Sequence, residues 1–191
     1  PFEKSVHNIV ASNGGKLTGS LAIAAQADIF RDEKEPIHDL DYSFNDLKSI
    51  ANTVVKLKEL GGIYIHTGIS NKDSTSFGVL VPKPDYEIVK YGREKYGWKK
   101  GTIIRDSIIV RDKQTNKYYK YHESLFVSVD LFLEYSPMNT FGNFKRFDDV
   151  MANKQMMNKK SDVFFRREKD QIDYVLLTSD IDVEPKENYT Y

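Results

Sequence analysis

The stretch Leu125-Phe126-Val127-Ser128-Val129-Asp130-Leu131-Phe132-Leu133 constrains the fold more than any other part of this sequence. It is rich in β-branched and aromatic residues, which reads as a strand, and a strand needs a sheet around it. Its single ionisable residue is Asp130. A carboxylate in so apolar a strand is costly to bury unless a cation or a hydrogen-bond donor meets it, the alternative being an edge position at which it reaches water.

The elements around that strand are read from period and punctuation. Residues 2–11 read as a helix broken by Ser12-Asn13-Gly14-Gly15, and Lys16-Leu17-Thr18 is a short apolar stretch. Gly19-Ser20 then opens an Ala-rich run over 21–30 that reads as a buried helix, ended by the charged stretch 31–36. Residues 37–44 alternate as a strand, with Ile37, Asp39 and Asp41 on one face and His38, Leu40 and Tyr42 on the other. The clearest helix spans 45–60. Leu47, Ile50, Ala51, Val54 and Val55 form its apolar stripe, Ser43 or Asn45 caps its start, and Gly61-Gly62 stops it. From residue 63 the period becomes two. Strands are predicted at 63–66 and 77–81 with a polar loop between them, 82–101 is ambiguous, and 103–110 with 118–121 makes a hairpin about the turn at 112–116. Helices are predicted again at 148–159 and 162–177, before a polar tail from 182. The order implies an α+β sheet with helices on one side, plus C-terminal helices.

Composition narrows the class. A chain of 191 residues with 12 Tyr, 11 Phe and one Trp can bury a sizeable core, as one domain or one domain with a helical extension. No run approaches the roughly 18 consecutive apolar residues of a membrane span, and the first dozen residues lack the apolar core of a signal peptide. Without cysteine there is neither a disulfide framework nor a thiolate zinc site, which fits a cytoplasmic location, and the lack of an apolar span implies no membrane partner. The four histidines have no metal-ligand spacing. With 28 basic and 28 acidic side chains, broad electrostatic capture of nucleic acid is disfavoured, although a local basic patch can still bind it.

Three features carry chemistry. Gly19-Ser20 at a helix mouth offers unpaired backbone N–H groups and a dipole that favour an anion such as a nucleotide phosphate; the plain alternative is that Ser20 is an N-cap. Asp39 and Asp41, two apart in a strand, point to one side and can share a divalent cation, as Mg²⁺ does with carboxylates, waters and phosphate oxygens. The strand end can equally well face solvent. Asp130 is the third feature, since a carboxylate facing the first pair would allow two metal ions.

Gly19-Ser20 opening a helix, Asp39-Leu40-Asp41 on a strand and Asp130 on a later apolar strand resemble the DNA polymerase beta-like nucleotidyltransferase superfamily. Leu17-Thr18-Gly19-Ser20-Leu21-Ala22-Ile23 followed by His38-Asp39-Leu40-Asp41-Tyr42 is similar to its abortive-infection and minimal nucleotidyltransferase branch, and Arg167-Glu168-Lys169-Asp170-Gln171-Ile172-Asp173 to the basic-acidic helix after the core in that branch. Where that branch often carries an arginine before the aspartate pair, this chain has Glu35-Pro36-Ile37-His38. The resemblance implies a core over 1–140 with a hairpin inserted around 103–121, a helical extension over 141–181 and a flexible tail over 182–191. It implies transfer of a nucleotidyl group from a nucleoside triphosphate, ATP among them, to an acceptor hydroxyl on RNA, protein or a small molecule. Asp39, Asp41 and Asp130 would be catalytic and ligate Mg²⁺, or Mn²⁺ in its place; Gly19, Ser20, Arg167 and Lys169 would bind the nucleotide. A toxin–antitoxin or phage-defence role, with an antitoxin as protein partner, belongs to the same expectation. From 143 to 169 eight Lys or Arg stand against four Asp or Glu, a segment that can reach triphosphate or RNA, or simply form surface i, i+4 pairs. The rival reading is a catalytically silent module of this fold that acts as a binding or assembly partner.

Overall fold

The computed structural model describes residues 2–19, 39–71, 74–93, 103–135, 138, 140, 141, 144 and 145. The helices expected at 21–30, 148–159 and 162–177, and the tail, lie outside the described residues. The chain divides into two units, one formed by residues 1–15 and 38–137, the other by 16–37 and 138–191.

The first unit is a mixed α+β structure. Helix α1 (Phe2–Ser12) is followed, after a strand of the second unit, by β2 (Asp39–Phe44), α2 (Leu47–Glu59), β3 (Ile63–Asn71), β4 (Ser74–Pro82), β5 (Tyr86–Arg93), β6 (Ile103–Asp112), β7 (Tyr118–Lys120), a single 3-10 turn (Glu123–Leu125) and β8 (Phe126–Glu134). Strands β3, β4, β8 and β2 lie side by side in that order, with β2 parallel to β8 and the other neighbours antiparallel. Strands β5, β6 and β7 form a separate antiparallel sheet, which continues the expected hairpin by one more strand over the stretch that was ambiguous in sequence. Within the polar loop expected between 66 and 77, residues 67–71 and 74–76 are instead strand: Thr67 pairs with Phe77, Gly68 with Ser76 and Ile69 with Thr75. Cross-strand backbone bonds, together with pairing of β4 to β8, override the weak apolar signal there.

Each sheet face has its own core. Leu40, Tyr42 and Phe44 of β2, Val79 and Val81 of β4, and Val127, Val129 and Leu131 of β8 are buried on the side covered by α1 and α2, which contribute Val6, Val10, Ile50 and Leu57. On the opposite side Leu80 and Phe126 join Ile65 against Ile103, Ile108 and Val110 of the second sheet. Each such side chain, fully removed from water, contributes about 1.5–3 kcal/mol.

Local chemistry sets the element ends. Helix α2 is capped by Asp46 rather than by Ser43 or Asn45: its carboxylate accepts from the Ser49 N–H at 2.7 Å and the Ser49 hydroxyl at 2.9 Å. The backbone hydrogen bond from Ser49 is the main reason its carboxyl is held below the ordinary carboxylate range. The buried stripe of α2 is Ile50, Thr53 and Leu57, rotated from the expected one, which leaves Leu47 and Val55 more than half exposed at 56% and 57%. Thr53 enters the core because its hydroxyl donates to the Ser49 carbonyl at 2.7 Å. The helix ends as expected, with Gly61 at φ +88° and the Gly62 N–H donating to the Leu57 carbonyl at 3.0 Å. At the β6–β7 turn Asp112 Oδ1 accepts from the Gln114 and Thr115 N–H groups, and Asn116 takes φ +58°.

Two predictions arise from the helix side. Gly15 is packed so closely that a Cβ added there would stand 2.6 Å from Val10 Cγ1 and 2.8 Å from Phe44 Cζ. Gly15→Ala should therefore cost about 1–3 kcal/mol in a urea unfolding experiment. A cost near zero would contradict this packing. His7 Nδ1 and the Tyr42 hydroxyl are hydrogen-bonded at 2.8 Å between α1 and β2, and burial holds the imidazole below its usual pKa. The unfolded chain then protonates first as pH falls. The stability that neutral His7 confers is full above about pH 6.5 and is lost as pH falls from there toward the folded value. In His7→Gln the urea midpoint should change less between about pH 7.5 and 5.5 than in the parent; an identical slope would assign the pH dependence elsewhere.

The second unit contributes β1 (Lys16–Thr18), β9 (Thr140–Phe141) and β10 (Phe144–Lys145). β1 runs parallel to β10, Leu17 opposite Phe144, and β10 is antiparallel to β9. Leu17 is fully buried in β1, where the sequence showed only a short apolar stretch. No described helix is long and apolar enough to cross a membrane.

Candidate active site

The parallel register of β2 and β8 sets Asp39 against Ser128, Leu40 against Val129, Asp41 against Asp130 and Tyr42 against Leu131. Side chains alternate along both strands, and Leu40, Tyr42, Val129 and Leu131 are buried on the helix side. Asp39, Asp41 and Asp130 therefore share the other face. Asp39 is exposed, whereas Asp41 and Asp130 are half-buried. Neighbouring strands lie about 4.8 Å apart, so the Asp41 and Asp130 side chains leave adjacent points of the backbone in one direction. Like charges placed directly opposite each other across a ladder are unfavourable, and a cation between them removes that cost.

The surroundings of the pair differ on each side. On β4 the residue opposite Asp130 is Gly78, so no side chain of that strand stands directly across from the carboxylate. Farther along β8, Glu134 lies on the same face as Asp130 and accepts a hydrogen bond from the buried Ser43 hydroxyl at 2.8 Å. Four residues of strand put it about 13 Å from Asp130, too far to share an ion with it. Its place on the acidic face was legible from the period-two alternation of β8, once that strand is known to extend one residue past Leu133.

At the Asp39 end stands a group that sequence reasoning did not single out. The Tyr121 ring stacks on Phe126 with centroids 5.3 Å apart, and the Arg105 guanidinium carbon lies 5.9 Å from the Tyr121 centroid. Burial raises the Tyr121 pKa; Arg105 pulls it down, while Glu123 and Asp39 push it further up. Asp39 and Arg105 thus both act on the same phenol. No motif could mark Arg105, because it lies 66 positions from Asp39 and the two are linked through Tyr121.

The oxygen-only donor set suits a hard cation, Mg²⁺ or Mn²⁺, rather than zinc or copper. Among the described residues no group of three or more His, Cys, Asp or Glu is assembled to hold a metal ion. What the register supplies is a pair, Asp41 with Asp130, and Asp39 one pleat farther along β2. Gly19 follows β1 at φ +67°, a conformation that glycine adopts without strain and other residues rarely take. It belongs to the second unit. Ser20, Arg167 and Lys169 lie outside the described residues. Two of the histidines have structural work: His7 bonds Tyr42, and His122 Nδ1 accepts from the Ser124 N–H at 3.2 Å to cap the 3-10 turn.

No protein-family profile matches the sequence, and no curated protein matches it significantly. Two solved structures are similar to the chain. JHP933 from Helicobacter pylori matches at a TM-score of 0.45 and 11% sequence identity, over 91% of this chain and 63% of that one. A candidate nucleotidyltransferase from H. pylori matches at a TM-score of 0.45 and 12% identity, over 91% of this chain and 65% of that one. The chain thus spans less than two thirds of the length of either.

Proposed function

We propose that the protein is a metal-dependent nucleotidyltransferase whose catalytic face is formed by Asp39, Asp41 and Asp130. The observation that carries this is the placement of Asp41 directly opposite Asp130 on adjacent parallel strands, on a face whose reverse side is fully packed. Rigid strands hold such carboxylates at a fixed spacing, which catalysis by positioned charge requires. Asp39, Asp41 and Asp130 would hold Mg²⁺ or Mn²⁺ with the triphosphate, and the ion when bound supplies charge neutralisation at the phosphates and polarisation of the reacting phosphoryl group. Asp130 accepts the proton of the acceptor hydroxyl. The acceptor oxygen then bonds to the α-phosphorus as the bond to the pyrophosphate oxygen breaks, and pyrophosphate leaves with the electron pair. Gly19, Ser20, Arg167 and Lys169 are assigned to the triphosphate on the strength of the sequence resemblance. The acceptor hydroxyl belongs to RNA, protein or a small molecule, and an antitoxin partner and a defence role form part of the same proposal.

One observation favours the second reading, a catalytically silent binding module: three acidic ligands are not assembled as a metal cluster among the described residues. Calorimetric titration with Mg²⁺ and each nucleoside triphosphate separates the two. The enzyme reading predicts triphosphate binding that needs the ion and weakens in Asp41→Asn; binding of neither ion nor nucleotide would establish the silent module.

A further inference from the structure

The inserted sheet turns two unlike faces to its surroundings. Ile108 and Val110 of β6 point into the core shared with the larger sheet. On the reverse face the register lines up Lys90, Ile109 and Lys120 in one row, and Glu87, Arg111 and Tyr118 in the next. Lys90 and Lys120 are exposed, and Tyr118 is 66% exposed. The acid in these rows is already engaged, since Glu87 accepts from Arg111 Nε at 2.8 Å. The two lysines flank β6 on either side with the apolar Ile109 between them, and the Tyr118 ring stands one row along.

This local charge runs against the balance of the chain. Over 86–93 and 103–120 seven Lys or Arg stand against three Asp or Glu, whereas the whole chain has 28 of each. Exposed lysines on either side of β6, with an exposed aromatic ring in the next row, bring together the two interactions that hold single strands: ammonium groups for the phosphates and a flat ring on which a base can stack. Lysines alone would suit any polyanion. The ring beside them selects for bases.

We infer that the outer face of β5, β6 and β7, centred on Lys90, Lys120 and Tyr118, binds single-stranded nucleic acid. The site lies on the opposite face of its sheet from the core and needs neither triphosphate nor metal, so it stands or falls apart from the transfer reaction.

The test is fluorescence anisotropy on the full chain, without triphosphate, using labelled 12-nucleotide oligo(U) and oligo(dT), the corresponding duplex, and a labelled polyglutamate peptide. Both single strands should bind more tightly than the duplex and the peptide. A tighter oligo(U) than oligo(dT) would identify RNA as the preferred form, and the reverse DNA. Tyr118→Ala should weaken single-strand binding about tenfold while Tyr118→Phe retains it. Lys90→Ala and Lys120→Ala should each reduce the slope of log affinity against log salt by roughly 0.7. These side chains are exposed, so the variants should melt as the parent does. Polyglutamate binding as tightly as oligo(U), an unaffected Tyr118→Ala variant, or no binding at low salt would each overturn the assignment. So would loss of binding on charge reversal at Lys159 and Lys160 with the sheet variants unaffected.

Discussion

Asp130→Asn should lower nucleotidyl transfer by about 10²- to 10⁴-fold, the range that a positioned general base contributes. The substitution keeps the shape of the side chain and removes its charge and basicity. Because Asp130 stands in register with Asp41, it also removes one of two like charges, so the melting midpoint of the metal-free protein should hold or rise. Mg²⁺ should raise the midpoint of the parent and not of the variant, since only a ligand that binds the folded form stabilises it. If Asp130 were instead the partner of a buried cation, the same change would leave that cation stranded and cost about 3–5 kcal/mol. A variant that melts far below the parent, yet transfers nucleotide normally while folded, would assign Asp130 to structure.

The largest loss of stability is expected one residue along the same strand. Leu131 is fully buried on the helix side of β8, with Tyr42 opposite it on β2 and Phe77 opposite it on β4. Strands on both sides limit how far the backbone can move to fill a void. Leu131→Ala should then cost about 2–5 kcal/mol, because both the transfer of the lost methyls and the residual cavity count. In a chain of this size that lowers the midpoint by roughly 2–4 °C per kcal/mol. Leu47→Ala, on the outer side of α2 at 56% exposure, is the control and should stay within about 0.5 kcal/mol. Equal costs at the two positions in urea unfolding would mean that the β8 core is not packed as described.

The acidic face was legible in the sequence because it depends on short-range rules. The i, i+2 spacing of Asp39 and Asp41 fixes their common side once the segment is a strand, and the apolar neighbours of Asp130 fix its strand. That Asp41 lies opposite Asp130, rather than a residue earlier or later, was not legible, since register between strands 89 positions apart is set by packing of both faces. The same limit explains the third strand of the inserted sheet. β5 carries Lys90, Gly92 and Arg93 and has little alternation of its own; it becomes a strand because β6 pairs with it. On α2 the 3.6-residue rhythm located the helix but not its buried side. Valines at 54 and 55 suggested one stripe, while the pull of Leu57 toward the sheet and the internally bonded Thr53 chose another. The helix cap moved to Asp46 for a related reason: Ser43 is committed to β2 and donates to Glu134.

If this face transfers a nucleotidyl group, the fate of a radioactive label depends on its position within the triphosphate. The protein is incubated with Mg²⁺ and each triphosphate carrying ³²P at either the α or the γ position, in the presence of total RNA and of cell extract as sources of acceptor. Nucleotidyl transfer predicts that the α label becomes covalently attached to an acceptor while the γ label is released in pyrophosphate, and that both events disappear in Asp130→Asn. Attachment of the γ label would show phosphoryl transfer instead, and no attachment of either label with any of the four triphosphates would contradict the assignment.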